Sequence, residues 1–272
     1  MRFLIIDGYD RPARDELHQA GATLAGQLYK SMLLVHRPNA MVDIVMPADA
    51  DAKIPDLSSY DVMLWTGSSL TSYDDIPPVK RQIDLAREGF ELGIKAFGSC
   101  WALQIAALAA GGSVRKNPNG REFGLARKIT LSPEGRADPV FVGRNYAFDG
   151  FSSHFDEVDV LPASAQLLAG NAHTRVQAAR IFYGKGAFLG LQYHPEYDLS
   201  EIAALARFRA DGLVAENRFN NLGEVSIFDN EISILNNEYK LNYAWKYGVD
   251  QDVLDPKIRH NEFSNWLNLL DV

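Results

Sequence analysis

The sequence predicts an α/β protein: a mainly parallel open sheet with helices on both faces, with added antiparallel strands and a helical C-terminal extension. Three observations point there. Short apolar runs alternate with longer amphipathic stretches up to about residue 112. Strand-like runs then follow one another between about 125 and 197. From residue 200 the composition shifts and helical spacing returns. The expected division is one domain over 1–199 and a mostly helical extension over 200–272.

Phe3-Leu4-Ile5-Ile6, stopped by Asp7-Gly8, has the unbroken apolar character of a strand buried on both faces. An amphipathic stretch from about Arg14 to Leu34 reads as helical. Met41–Val45, stopped by Pro47, and Asp61–Trp65, running into Thr66-Gly67-Ser68-Ser69, are the next two strands. Pro77-Pro78 opens a helix reaching about Gly89. Ile94–Phe97 is a fourth strand, followed by Gly98-Ser99-Cys100 and an Ala/Leu-rich helix that stops at Gly111-Gly112. Such alternation with short links implies parallel strands covered on both sides. Ala126–Leu131, Val140–Val142, Gln166–Ala169, Val176–Ile181 and Ala187–Tyr193 then read as strands, the last two joined by a hairpin turn at Tyr183-Gly184-Lys185-Gly186. Residues 201–272 hold seven Lys/Arg against twelve Asp/Glu, a net charge of −5, and many asparagines. Near the end Asp255 is a good N-cap with Pro256 at the first helical position. Phe263, Trp266, Leu267 and Leu270 then share one apolar face. The simpler role for this segment is docking on the core; the sharper one is a lid or a partner surface.

Apolar residues make up 47% and charged residues 23%, which excludes a disordered chain, a collagen and a disulfide mini-protein. A formal charge of −8 without a basic run argues against a nucleic-acid partner. The single cysteine cannot form an internal disulfide and fits a reducing compartment. Four apolar residues before Asp7 are too few for a signal-peptide core or a membrane span, so a soluble, cytoplasmic protein is expected. Scattered histidines and one cysteine show no metal-ligand spacing, and neither metal nor cofactor is expected.

Phe97-Gly98-Ser99-Cys100-Trp101-Ala102-Leu103-Gln104 places the cysteine in a tight turn between a buried strand and a helix. The helix dipole and free backbone N–H groups there favour negative charge, and the thiolate is the form that attacks. Free cysteines are more often inert packing, so the position needs a base to give it meaning. Gly190-Leu191-Gln192-Tyr193-His194-Pro195-Glu196 supplies one. His194, at the end of a predicted strand, can reach the same sheet edge, and Glu196 can fix its tautomer. His18, His36, His173 and His260 are assigned solvated or packing roles.

Together these stretches resemble the class I glutamine amidotransferase domain of the Cys-His-Glu type, as in GMP synthetase-like members, over roughly residues 1–199. Thr66-Gly67-Ser68-Ser69, Arg121-Glu122-Phe123-Gly124 and Ser153-His154-Phe155-Asp156-Glu157-Val158 follow in family order. The resemblance implies a flavodoxin-like amidotransferase fold. It also implies attack by Cys100 on a side-chain amide, proton transfer by His194 and orientation of His194 by Glu196. The backbone N–H groups of Gly67 and Trp101 would form the oxyanion hole, and Gln104, Ser153, His154 and Phe155 would bind the glutamyl head. Three positions depart from the family pattern: Ala102 and Phe155 stand where glycine is common, and Ser68 where proline is.

The first function expected is a glutaminase that releases ammonia to an acceptor on a separate synthetase polypeptide. No phosphate-binding or nucleotide loop is present, and 73 residues after Leu199 are too few for an ATP-using domain. The second is a stand-alone γ-glutamyl hydrolase or peptidase acting on a larger leaving group. The third, a catalytically silent binding or regulatory domain, is disfavoured by an intact Cys100, His194 and Glu196.

Overall fold

The apolar runs of the first hundred residues become the parallel half of one sheet. The computed structural model describes residues 1–271. In chain order it begins β1 (Arg2–Ile6), α1 (Arg11–Gln19), α2 (Ala25–His36), β2 (Met41–Val45), β3 (Val62–Trp65), α3 (Pro77–Leu92), β4 (Lys95–Ser99) and α4 (Trp101–Ala109). The strand-rich part follows as β5 (Ser113–Lys116), β6 (Glu122–Leu131), α5 (Pro133–Ala137), β7 (Ala147–His154), β8 (Asp156–Val160), β9 (Gln166–Gly170), β10 (Ala178–Tyr183) and β11 (Gly186–Leu191). The remainder is helical: α6 (Leu199–Phe208), α7 (Ala210–Ala215), α8 (Leu222–Asn237), α9 (Leu241–Tyr247), α10 (Gln251–Leu254), α11 (Pro256–Arg259) and α12 (Asn261–Leu269).

Nine strands form one sheet in the order β2-β1-β3-β4-β11-β10-β9-β6-β7. Neighbours from β2 to β11 are parallel, and those from β11 to β7 antiparallel. β5 and β8 pair separately as an antiparallel ribbon. Side chains alternate across the sheet. Leu4, Ile6, Met63 and Trp65 pack with α3 and α4 on one face. Phe3, Ile5, Val62, Leu64 and Phe97 pack with α2 and α12 on the other. Both faces of the parallel half are therefore buried, as the unbroken apolar runs require.

The helix expected over 14–34 is instead two, α1 and α2. Gly21 takes a left-handed φ of +81°, and the chain turns before α2 resumes. Val140–Val142 is not a strand: Pro139–Phe141 is a 3₁₀ turn capped by the Asp138 carboxylate, which accepts from the Val140 N–H at 3.0 Å. β5, β7 and β8 were not among the expected strands, since Gly150, Ser152 and Ser153 give β7 little strand propensity.

The C-terminal helical periodicity splits at His260 into α11 and α12. α12 lies against the parallel sheet, with Phe263 and Trp266 at 5.1 and 5.3 Å from the Phe97 ring. A fully buried Arg144–Glu262 pair, 2.6 and 2.8 Å across two parallel hydrogen bonds, ties α12 to the segment before β7. α6 packs its apolar face with α1 and α8. Among the described residues no helix is long and apolar enough to cross a membrane.

Candidate active site at the carboxyl edge of the sheet

Three adjacent parallel strands, β3, β4 and β11, deliver Gly67, Cys100 and His194 to one edge. In open α/β sheets this carboxyl edge is where ligands bind. Cys100 follows β4 directly and is the N-cap of α4, with φ +54° and ψ −105°. A non-glycine residue there costs of order 1–3 kcal/mol and persists because its surroundings fix it. The Cys100 N–H donates to the Leu191 carbonyl at 2.7 Å, which pins the turn to β11. The methyl of Ala102 fits the close strand–helix approach because Gly98 faces it. A Cβ on Gly98 would lie 2.4 Å from the Ala102 Cβ and 2.5 Å from the Trp65 carbonyl oxygen.

His194 and Glu196 are buried beside the cysteine. Glu196 Oε1 accepts from His194 Nδ1 at 2.7 Å, leaving Nε2 as the nitrogen that faces Cys100, with no hydrogen bond of good geometry. Burial disfavours the charged imidazole, but the Glu196 carboxylate and the sulfur outweigh it, and the His194 pKa is raised to about 9. Two further partners were not legible in the sequence. Ser99 Oγ donates to the same Glu196 oxygen at 2.7 Å, and the Tyr29 hydroxyl donates to Ser99 Oγ at 2.8 Å. The Tyr197 ring stacks on the imidazole, with centroids 3.9 Å apart and planes within 5°.

Gly67 lies against both the imidazole and the cysteine: a Cβ there would sit 3.2 Å from His194 Cε1 and 3.9 Å from the Cys100 Cβ. The Thr66 hydroxyl holds this loop, donating to the Gly67 carbonyl at 2.8 Å and accepting from the Gly8 N–H at 3.0 Å. Ser68 shapes the next turn through its hydroxyl, which accepts from the Leu70 N–H at 3.1 Å. Trp101 supplies the first amide of α4, one of those a helix leaves without an internal partner. Its indole donates to the fully buried Gln82 at 2.8 Å, and Gln82 donates to the Gly8 carbonyl at 3.2 Å, so one amide side chain ties the start of α4 to the turn after β1.

A cleft of about 140 Å³ opens beside the sulfur, lined by residues that include Cys100, Trp101, Gln104, Ser153, His154 and Phe155. Gln104 donates to the Asp156 carbonyl at 3.2 Å, and Ser153 Oγ is buried without a partner. Both ring nitrogens of His154 are engaged, by Glu122 Oε2 and the Asp156 carbonyl, each at 2.9 Å, so its imidazole serves the wall. Glu122 is buried, yet hydrogen bonds from His154, Asn171 and Gln177 hold its carboxyl below the usual range. Phe155 carries the cations of Lys116 and Arg121 over its ring, 4.6 and 5.1 Å from the centroid. Asp156, Arg121 and Arg209 complete a polar lining that the resemblance did not supply.

A thiol on a helix N-cap and a buried imidazole fixed by a carboxylate, with the Gly67 and Trp101 amides close by, suit acyl transfer. The model of the class I glutamine amidotransferase family matches residues 34–209. The chain belongs to that family. Among similar amidotransferase-family sequences, a γ-glutamyl-L-1-hydroxyisopropylamide hydrolase from a Pseudomonas species is 32% identical over 99% of this chain and 93% of its own length. A glutamine-hydrolysing GMP synthase subunit from Ignicoccus hospitalis is 30% identical over 56% of this chain and 74% of its own. A crystal structure of a glutamine amidotransferase from Thermotoga maritima shares the fold, with TM-score 0.70 over 99% of this chain and 97% of that one at 18% identity.

Proposed function

We propose that this family member is a cysteine hydrolase that cleaves γ-glutamyl amides through a γ-glutamyl thioester. The single observation that carries the proposal is the meeting of Cys100, His194 and Glu196 beside a polar cleft. With the Cys100 proton held on His194, the sulfur attacks the γ-carbonyl carbon, and the oxyanion is met by the N–H groups of Gly67 and Trp101. Collapse breaks the C–N bond, and His194 protonates the departing amine. Water, relieved of a proton by His194, then attacks the thioester; glutamate leaves and the starting pair, with the proton on His194, is restored. Gln104, Ser153, His154 and Phe155 form the wall that takes the glutamyl head.

A leaving amine larger than ammonia, with no partner chain required, is favoured by the similarity to the Pseudomonas hydrolase. That similarity runs through residues 1–199 and on through the helices of 200–272. A second reading, a glutaminase that supplies ammonia to a separate synthetase chain, is favoured by the match over most of the GMP synthase subunit. Glutamate release from γ-glutamyl alkylamides and from glutamine, by the wild type and Cys100→Ala, separates the two. The expected result is Cys100-dependent turnover of the alkylamides at higher kcat/KM than glutamine. Preference for glutamine, rising further with an added synthetase, supports the second reading. No Cys100-dependent release from any of them overturns both.

A further inference from the structure

A glutamyl head carries a carboxylate, and a carboxylate taken out of water needs a cation or several hydrogen-bond donors. The side chains assigned to the head supply few. Gln104 already donates to the Asp156 carbonyl, both ring nitrogens of His154 are engaged, and Phe155 has no side-chain donor. Ser153 Oγ, buried without a partner, is a single neutral hydroxyl. The lining of the same cleft also includes two arginines, Arg121 and Arg209. Arg121 is already occupied: its Nε and Nη2 donate to the two carboxylate oxygens of Glu216 at 2.7 and 2.9 Å. Among the described residues Arg209 forms no ion pair, and its Nε is buried without a hydrogen-bond partner.

The backbone on either side holds Arg209 at the cleft. It caps the end of α6 and the start of α7, its N–H donating to the Leu205 carbonyl at 3.0 Å and its carbonyl accepting from the Leu213 N–H at 2.8 Å. The guanidinium lies over the Phe208 ring, 5.1 Å from the centroid. It offers its donors in a planar fork that matches a carboxylate. Asp156, also on the lining, accepts from the Tyr73 hydroxyl at 3.1 Å and, among the described residues, is paired with no cation. A free cation and a free anion on one cleft match an α-amino acid, which carries both charges.

Resting on the proposed hydrolysis of γ-glutamyl amides, we propose that Arg209 is a specificity-determining residue whose guanidinium pairs with the α-carboxylate of the glutamyl head. Ser153 Oγ is a further donor to the same group. Substrates must then carry that carboxylate free. A 4-aminobutyryl amide, which lacks it, is a poor substrate, and so is a glutamine residue inside a peptide, whose α-carboxyl is tied up in an amide. A charge-assisted contact of this kind gives discrimination of about 10- to 100-fold. Arg209 lies beyond Leu199, so the helical segment completes the site besides docking on the core.

The test compares γ-glutamyl isopropylamide with 4-aminobutyryl isopropylamide, which releases the same amine but has no carboxylate. Isopropylamine release is assayed with wild type, Arg209→Gln, Arg209→Lys and Cys100→Ala, Tm is measured for each, and L-glutamate binding to wild type and Arg209→Gln is followed by calorimetry. The wild type is expected to favour the γ-glutamyl amide by at least about tenfold in kcat/KM. Arg209→Gln should lose about 10- to 100-fold on that substrate, mainly through KM, and little on the other; Arg209→Lys should keep part of the preference. The Kd for glutamate should rise by a similar factor in Arg209→Gln. Equal use of both amides by the wild type overturns the proposal. So does an equal loss on both in Arg209→Gln, or a glutamate Kd that does not change. If neither amide gives Cys100-dependent amine, the reading of the site as a hydrolase falls. The carboxylate contact then stands if glutamate binding still depends on Arg209, and falls if it does not.

Discussion

Glu196 Oε1 takes hydrogen bonds from both His194 and Ser99, while its second oxygen is buried with none. The carboxylate is therefore held by one atom, and the imidazole is oriented from behind by a chain that ends at Tyr29. A His194 pKa near 9 means that the ring is charged at neutral pH, as the acid of the proposed reaction must be. The raised value also sets the linkage. The stabilisation is complete below the ordinary histidine value of 6.5 and is lost as pH rises through about 9. The profile of kcat/KM should accordingly fall on its alkaline side near pH 9. Glu196→Gln should move that limb downward and cut kcat/KM by about 10³–10⁴-fold, as loss of an orienting carboxylate does in serine proteases. Ser99→Ala should cost about tenfold, the scale of one hydrogen bond to a charged group. An alkaline limb that stays in place in Glu196→Gln would show that the carboxylate does not govern the ring.

At the scale of elements, α12 is held by apolar packing on Phe97 and by the Arg144–Glu262 pair. Removing one partner of a buried pair strands the other charge, so Glu262→Ala should destabilise by about 3–5 kcal/mol. Replacing both residues by methionine should recover most of that loss. Urea midpoints with an unchanged slope would measure both effects, and a Glu262→Ala midpoint equal to wild type would contradict them. The parallel half of the sheet was legible because strands buried on both faces must be apolar throughout, as Phe3–Ile6 and Met63–Trp65 are. The cysteine turn and His194-Pro195-Glu196 were legible because they are local in sequence. β7 was not: its serines and glycine lack a strand pattern, and its pairing with β6 is tertiary. Tyr29 and Ser99 stand 70 residues apart, and Arg209 meets Cys100 only through folding, so no spacing could announce them.

Across the whole molecule, the C-terminal segment is joined to the start of the chain by two histidines. His36 Nε2 and His260 Nδ1 lie 3.3 Å apart, between α2 and the α11–α12 junction. Burial lowers both pKa values. Arg37 adds to the effect at His36, while Arg259 and His36 add to it at His260, which reaches about 3. A depressed histidine contributes stability above its ordinary pKa near 6.5 and loses it as pH falls toward the folded value. Tm should therefore drop between pH 7 and pH 4.5 more in the wild type than in His260→Gln, at about 2–4 °C per kcal/mol for a chain of this size. Parallel acid profiles in the two proteins would show that the histidine pair does not set the acid stability.

The contact of Phe263 and Trp266 with Phe97 also bears on how the protein is made. During translation the N-terminal strands emerge long before the residues that seal one of their faces. Until Asn261–Leu269 leave the ribosome, the part of that face around Phe97 that α12 covers stays greasy and open beside α2, and a nascent chain stalled earlier is a natural client for chaperones or proteases.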